Sequence, residues 1–314
     1  MWIGFCMLSR LLSNKDIKEV ELDLTGTCNL SCPLCARNYN NQSDLILYNE
    51  RPISDIINQL NAFPNLTDCC LAGIVSEPTL YKDFFKLIKY LVNRNIKIEL
   101  YTNASIHTTS WWKELAKLLT QRDKVYFTIC GSSQELHEKY RKGSNLQTII
   151  DNAMAFKKSS KYNIDCIQYI IFEYNKNDYA SIDTKKIIEK FSHNCSIDSL
   201  PYRERFNIKK SNTLEKTISM RQELSDKYAY ISKYGKRALS SKKSLIKCKS
   251  FDDKFVAIDQ FGKIYPCFLY RLYEKNINFN LNYEKIFNFD YDFCYECEKN
   301  TTAILEQNGL ERMG

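Results

Sequence analysis

Between Glu19 and Thr25 apolar and polar residues alternate, with Val20, Leu22 and Leu24 set against Glu21 and Asp23, the two-residue period of a half-buried strand. Further strands are predicted at Leu66 to Ala72, Ile96 to Tyr101, Val125 to Cys130, Ile164 to Phe172 and Ser196 to Leu200. Between them the period lengthens to that of a helix. Thr79 to Asn93 carries Leu80, Phe84, Leu87, Ile88 and Leu91 at helical spacing, and Ser54 to Ala62, Ser110 to Leu119, Leu146 to Lys158 and Tyr179 to Phe191 read the same way. Six strands alternating with helices predict an α/β fold whose parallel sheet curves into an open, partial (β/α)6 barrel over 19–200. Such barrels gather ligands where the strands end, because the loops there supply the polar groups.

The pattern changes at Pro201. From there to Lys247 basic and polar residues interrupt helical sequence, which reads as a solvated bridging helix and linker. A nucleic-acid-binding arm would interleave aromatic residues for base stacking, and only Tyr228, Tyr230 and Tyr234 are present, so nucleic acid is not the expected partner. Phe255 to Asp259 and Lys263 to Tyr265 predict a hairpin turning through Gln260 to Gly262, inside a small C-terminal domain over 248–314. The apolar run Trp2 to Leu8 has no basic residue before it and is too short to span a bilayer, so 1–18 reads as a lead-in with no membrane role. A net charge of +8 suits an anionic partner without selecting one.

Thirteen cysteines, an odd number with two tight clusters, point to metal binding in a reducing, cytoplasmic compartment rather than to disulfides. Cys28, Cys32 and Cys35 are spaced C-x3-C-x2-C directly after the first strand. Three thiolates at that spacing can hold three irons of a cubane cluster and leave the fourth open to a small chelating ligand. Zinc is the alternative, but it wants a fourth ligand, and Asn29 and Asn38 are poor ones. The second array, Cys248, Cys267, Cys294 and Cys297, is sufficient for one fully coordinated centre, either zinc or a four-iron cluster.

The cysteine loop and its setting resemble the radical S-adenosylmethionine (SAM) superfamily. That resemblance implies a SAM-binding 4Fe-4S cluster on Cys28, Cys32 and Cys35, reductive cleavage of SAM to a 5'-deoxyadenosyl radical, and removal of a substrate hydrogen atom. Three strand ends extend it. Gly73 to Leu80 is similar to the family's Gly-Gly-Glu-Pro stretch, with Val75 and Ser76 in place of two glycines and with Glu77 and Pro78 matching, which implies that Ser76 and Glu77 hold the SAM amino group. A Pro-started helical turn explains the same residues locally. Tyr101-Thr102-Asn103-Ala104 looks like Thr-Asn-Gly, where Asn103 shapes the pocket or caps a turn. Thr128-Ile129-Cys130-Gly131, followed by His137, Tyr140 and Arg141, is similar to Ser-x-Asp-Gly…His…Tyr-Arg, which implies that Thr128 and Arg141 bind SAM ribose and carboxylate. Cys130 stands where the family usually has Asp. It is either a hydrogen-atom donor to a substrate radical, as in an epimerase, or a small buried apolar residue.

The C-terminal array resembles the twitch module, a shortened SPASM domain, which implies one auxiliary 4Fe-4S cluster. Trp111 to Leu115 and Asp151 to Phe156 also resemble stretches of twitch proteins, and both serve equally as amphipathic helix faces. The resemblance implies a flavodoxin- or ferredoxin-type reductant. It favours a peptide or protein side chain as substrate, with oxidation or epimerization of a sugar, aminoglycoside or nucleotide as the second enzymatic reading. A noncatalytic metal-stabilised binding protein is the reading from another class.

Overall fold

A computed structural model describes residues 14–33, 35, 50–73, 76–170, 172, 174–175, 177–178, 181–196 and 254–265. The strands are β1 (Glu19–Leu22), β2 (Asp68–Leu71), β3 (Lys97–Thr102), β4 (Lys124–Ile129), β5 (Asp165–Tyr169), β6 (Asn194–Ser196), β7 (Phe255–Ile258) and β8 (Ile264–Tyr265). The helices are α1 (Ile53–Asn61), α2 (Phe84–Asn93), α3 (Thr109–Leu118), α4 (Gln134–Tyr140), α5 (Leu146–Ser159) and α6 (Ile182–Phe191), with a 3-10 turn at Pro78–Leu80. All eight strands share one sheet in the order β6-β5-β4-β3-β2-β1-β7-β8. Every pairing is parallel except that of β7 with β8.

Alternation decides which face of the sheet the helices cover. Val20, Leu22, Cys69, Leu71, Ile98, Leu100, Val125, Phe127 and Ile167 are buried in one continuous core with Leu87, Ile88 and Leu91 of α2, Trp112 and Leu115 of α3, and Ile149 and Phe156 of α5. Trp112, Phe127 and Phe156 are fully buried and their rings meet edge-on or tilted. Each such side chain contributes on the order of 1.5–3 kcal/mol by leaving water. The opposite face carries the intervening residues. Glu21, Cys70 and Glu99 lie side by side across β1, β2 and β3, and Tyr101 stacks on Tyr126 with centroids 4.3 Å apart.

The elements depart from the sequence reading where side chains compete for the backbone. Strand β1 stops at Leu22 rather than Thr25, since beyond it the chain turns into the cysteine loop and Thr25 Oγ1 accepts from its own Thr27 N. The helix expected over Thr79 to Asn93 is interrupted: after the 3-10 turn Tyr81 is extended and its hydroxyl donates to Arg51 O, so α2 begins at Phe84. Helix α6 starts at Ile182, where Ser181 Oγ caps Thr184 N. Strand β6 forms at Asn194–Ser196, earlier than expected, because the buried Asp165 carboxylate accepts from Ser192 Oγ and His193 N and draws this segment onto β5. Helix α4 had no counterpart in the sequence reading, since its buried face has only His137 and Tyr140.

The C-terminal hairpin forms, and its first strand is a seventh parallel strand, paired with β1 from Glu19 to Leu22. Gln59 of α1 fastens its turn by donating to Gly262 O at 2.7 Å, and Arg51 Nη1 donates to Gln59 Oε1. Cys248, Cys267, Cys294 and Cys297 lie outside the described residues, as does the segment 201–247.

Asp123 fixes the start of β3. Its buried carboxylate accepts from Ile98 N at 2.7 Å, Thr120 N at 2.7 Å and Thr120 Oγ1 at 2.9 Å. Asp123→Ala strands these donors, and urea denaturation is expected to show a loss of about 2–4 kcal/mol; a change within about 0.5 kcal/mol, the range of an ordinary surface substitution, contradicts this account.

Candidate metal centre and cofactor site

The loop after β1 is held from both sides. Ser31 N donates to Lys142 O beyond α4, and Glu77 N donates to Thr27 O. Asn103, at the end of β3, donates from Nδ2 to Asn29 Oδ1 at 2.9 Å and lies 3.9 Å from Cys28 Sγ. These contacts press the loop onto the ends of β4 and β5, where Leu30, Cys32, Cys130, Tyr140 and Ile170 form a second apolar cluster with Cys28, Cys35 and Phe172 at its margin. The three cysteines of the motif form no disulfide and pack in one neighbourhood. Among the described residues no three His, Cys, Asp or Glu side chains converge as ligands of a single ion. A cubane cluster asks for no such convergence, because each cysteine binds its own iron.

Burial raises the Cys28 thiol, and it pushes Cys32 up to about 11, with the neighbouring thiols adding to the shift and Arg141 opposing it. Arg141 follows the end of α4. Burial opposes its charge and any ionised Cys130 or Cys32 sulfur would favour it, while its guanidinium, protonated at any ordinary pH, hydrogen-bonds the Cys130 sulfur. Arg141 Nε is nevertheless a buried donor without a partner. A second orphan is the buried Oγ of Ser76 at the end of β2. Unmade hydrogen bonds at such places cost about 1–3 kcal/mol each and suit a polar, partly anionic ligand beside the cysteine loop. Three thiols, a fixed cation and an unsatisfied hydroxyl therefore fit the cluster and SAM that the sequence implies.

Glu77 has a larger part than the sequence suggested. Its buried carboxylate takes Thr79 N, Thr79 Oγ1 at 2.8 Å and Thr102 Oγ1 at 2.7 Å on Oε1, and Asn103 N at 2.8 Å on Oε2. It thus ties the end of β2 to the end of β3 and keeps acceptor capacity on Oε2 for one ligand donor. Gly73 makes this turn possible: its φ is +60°, and a Cβ there would sit 2.3 Å from Ser76 O. Ala104, in the place of the family's glycine, adopts φ 50°, so the left-handed turn persists at a cost on the order of 1 kcal/mol.

Thr128 is buried on the same sheet face as Cys130, and its hydroxyl donates to Gln168 Oε1 at 3.0 Å. Cys130 is fully buried, and its backbone is pinned at both ends of the peptide group. Its N–H donates to His137 Nδ1 at 3.2 Å and its carbonyl accepts from Asn175 Nδ2 at 2.8 Å. With Nδ1 accepting, the His137 proton resides on Nε2 and is donated to Ser144 Oγ. Asn175 escaped the sequence reading; the signal available was a turn-forming residue just past a strand, without any indication of what it would hold.

Residues 22–181, just over half of the chain, match the model of the radical SAM superfamily, and the chain belongs to that superfamily. It is 29% identical over 119 residues to the tungsten-containing aldehyde ferredoxin oxidoreductase cofactor-modifying protein of Pyrococcus furiosus, covering 36% of this chain and 31% of that protein. It is 27% identical over 92 residues to the S-adenosylmethionine-dependent nucleotide dehydratase of Selenomonas ruminantium, covering 28% of this chain and 30% of that protein. The matches span about a third of each curated relative. Among solved structures, Streptococcus suis SuiB bound to precursor peptide SuiA is similar in fold, with a TM-score of 0.57 and 18% identity over 90% of this chain and 64% of that one. Native anSMEcpe with bound AdoMet has a TM-score of 0.51 and 18% identity over 90% and 83%. No helix among the described residues is long and apolar enough to cross a membrane.

Burial lowers His137 to about 4, with Arg141 adding to the effect. Between that value and its ordinary one near 6.5 the unfolded chain takes up a proton that the folded chain refuses, so stability is complete above about pH 6.5 and is lost as pH falls toward 4, by at most about 3 kcal/mol. His137→Asn keeps an acceptor near the Cys130 N–H and removes the titration. Thermal melts across this window are expected to show a flatter pH dependence for the variant; equal slopes contradict the assignment.

Proposed function

We propose that this radical SAM enzyme binds SAM against the loop of Cys28, Cys32 and Cys35, and that the observation carrying the reading is the buried, unpartnered Arg141 Nε beside the Cys28 and Cys32 thiols. When bound, the cluster supplies an electron and SAM the radical precursor, so that a hydrogen atom is taken from substrate. Everything else falls to the chain. Arg141 receives the SAM carboxylate by a charge-assisted hydrogen bond, while Ser76 Oγ and Glu77 Oε2 accept from its amino group. Asn103 orients the loop through Asn29 and lies near Cys28 Sγ, where a donor tunes an iron-bound sulfur. Thr128 faces the ribose with its oxygen lone pairs, its proton being given to Gln168.

The substrate reading is a peptide or protein side chain. Its support is the fold shared with SuiB, whose structure holds a precursor peptide, over most of this chain. Cys248, Cys267, Cys294 and Cys297 are proposed to hold an auxiliary cluster of the twitch type in a C-terminal unit over 248–314. Cys130 is proposed to position Arg141 and not to give up a hydrogen atom, since its sulfur is fully buried beneath the cysteine loop and bonded to that guanidinium.

Anaerobic protein loaded with iron and sulfide, then given SAM and dithionite, is expected to release 5'-deoxyadenosine, and Cys32→Ala to release none. Arg141→Ala is expected to keep the cluster absorbance while raising the SAM concentration for half-maximal cleavage by tenfold or more, about 1.4 kcal/mol or above. Unchanged SAM dependence in that variant rejects the proposed role of Arg141. Incubation with candidate peptides, read by mass spectrometry, is expected to show a mass change dependent on SAM; turnover of sugars or nucleotides alone rejects the peptide reading.

A further inference from the structure

Two stretches that take no part in binding SAM, Trp111 to Leu115 on α3 and Asp151 to Phe156 on α5, fasten one and the same loop. Trp112 Nε1 donates to Ile106 O at 3.2 Å, and Asn152 Nδ2 shares its two hydrogens among Ala104 O at 2.9 Å, Ile106 O at 3.3 Å and His107 O at 3.5 Å. The Trp111 ring stacks on His107 with centroids 4.1 Å apart. Asn152 is 1% exposed, on a helix face otherwise made of Leu146, Ile149, Ala153, Ala155 and Phe156. An amide in such a face is costly unless its bonds are made, and here they are made to the loop. The loop needs holding. Ala104 and His107 have φ of 50° and 67°, a conformation that residues with a Cβ keep only where their surroundings impose it.

This loop carries a closed ring of hydrogen bonds. Asn103 Nδ2 donates to Asn29 Oδ1 at 2.9 Å, Asn29 Nδ2 to Ser105 Oγ at 2.8 Å, and Ser105 Oγ to Asn103 Oδ1 at 2.8 Å. The Ser105 N–H donates to the same Asn103 oxygen at 3.0 Å, which fixes the end of the amide that carries nitrogen. One hydrogen of Asn103 Nδ2 is spent on Asn29, and the other is left for Cys28 Sγ, 3.9 Å away. That sulfur also accepts from Leu30 N at 3.4 Å, a bond made within the cysteine loop itself. The Asn103 donor is therefore the one that the rest of the fold can adjust. Asn29 is exposed, yet it spends both ends of its amide on the loop instead of on water. Partners already held in place make that favourable, because little further entropy is lost.

We infer that Asn152 is a positioning residue of the metal centre: by holding 104–107 from α5 it closes the ring of Asn29, Ser105 and Asn103, and so keeps on the Cys28 sulfur an N–H that raises the reduction potential of the cluster. The inference rests on the reading of Cys28 as a cluster ligand. A donor to an iron-bound sulfur favours the reduced cluster, which carries one more negative charge. Asn152 acts at one remove, on carbonyls of the loop, and its effect on the sulfur passes through Asn103.

The test is a redox titration of the loaded full chain, read from the electron paramagnetic resonance signal that Cys32→Ala lacks. Asn103→Ala is expected to shift the equilibrium for reduction about tenfold toward the oxidised cluster, a lowering of about 59 mV for one electron. Asn152→Ala is expected to shift it the same way by about threefold or more, within the worth of one hydrogen bond. The double variant Asn103→Ala/Asn152→Ala is expected to show the Asn103→Ala shift and no more, as for two residues acting in series. Ser105→Ala opens the ring without entering the core, and it carries the same comparison, alone and with Asn103→Ala, if Asn152→Ala does not fold. A potential unchanged in Asn152→Ala, or a shift that adds in full to that of Asn103→Ala, overturns the inference, the second result assigning Asn152 to the fold at large. With no such signal from the unsubstituted loaded protein the cluster reading itself fails and the inference falls with it; a signal whose potential is unmoved in every variant leaves that reading standing and removes this inference alone.

Discussion

A buried carboxylate held by neutral donors organises the working end of this sheet. Glu77 is almost wholly buried, and four donors from Thr79, Thr102 and Asn103 converge on it. Parallel strands leave their carboxyl ends as loose loops, each free to find its own path. A single charge that needs all four bonds removes that freedom for two of them, because any departure leaves a buried charge undersatisfied. Asn103, fixed by its own N–H to Glu77, then reaches across to Asn29, and the cysteine loop is located by way of the strand ends.

The other half of the site is positioned by neutral bonds. His137 and Asn175 take the two polar groups of Cys130 from opposite sides, and Gly131 lets α4 come so near that a Cβ there would lie 2.5 Å from Leu136 Cβ. This close approach delivers Tyr140 and Arg141 to the cysteine loop. Positive charge is thereby placed beside thiols that burial disfavours as thiolates, and the same guanidinium would favour their ionised form if iron were bound there.

Much of this was legible in the sequence, for identifiable reasons. The period-two strands and the helices between them carry large apolar side chains, and the parallel order follows from their alternation. The cysteine spacing is local, so the chain itself brings Cys28, Cys32 and Cys35 together. Glu77, Asn103 and Arg141 were visible as strand-end motifs, but their partners were not: nothing in the stretch Tyr101 to Ala104 shows that the Thr102 hydroxyl reaches Glu77, and the bond from Arg141 to Cys130 joins residues whose proximity depends on α4. Helix α4 itself has too few apolar positions to declare a period. The pairing of β7 with β1 was likewise hidden, since it joins residues more than two hundred positions apart and no local pattern records which edge a distant strand will choose.

The central claim is that an iron left open by three cysteines is chelated by SAM with Arg141 at its carboxylate. Electron-nuclear double resonance on the reduced, loaded protein with SAM labelled at the amino nitrogen and carboxylate oxygen tests it most directly. The account predicts couplings from both labels, with the carboxylate coupling weakened or shifted in Arg141→Ala. A reduced cluster that shows coupling to neither label contradicts it.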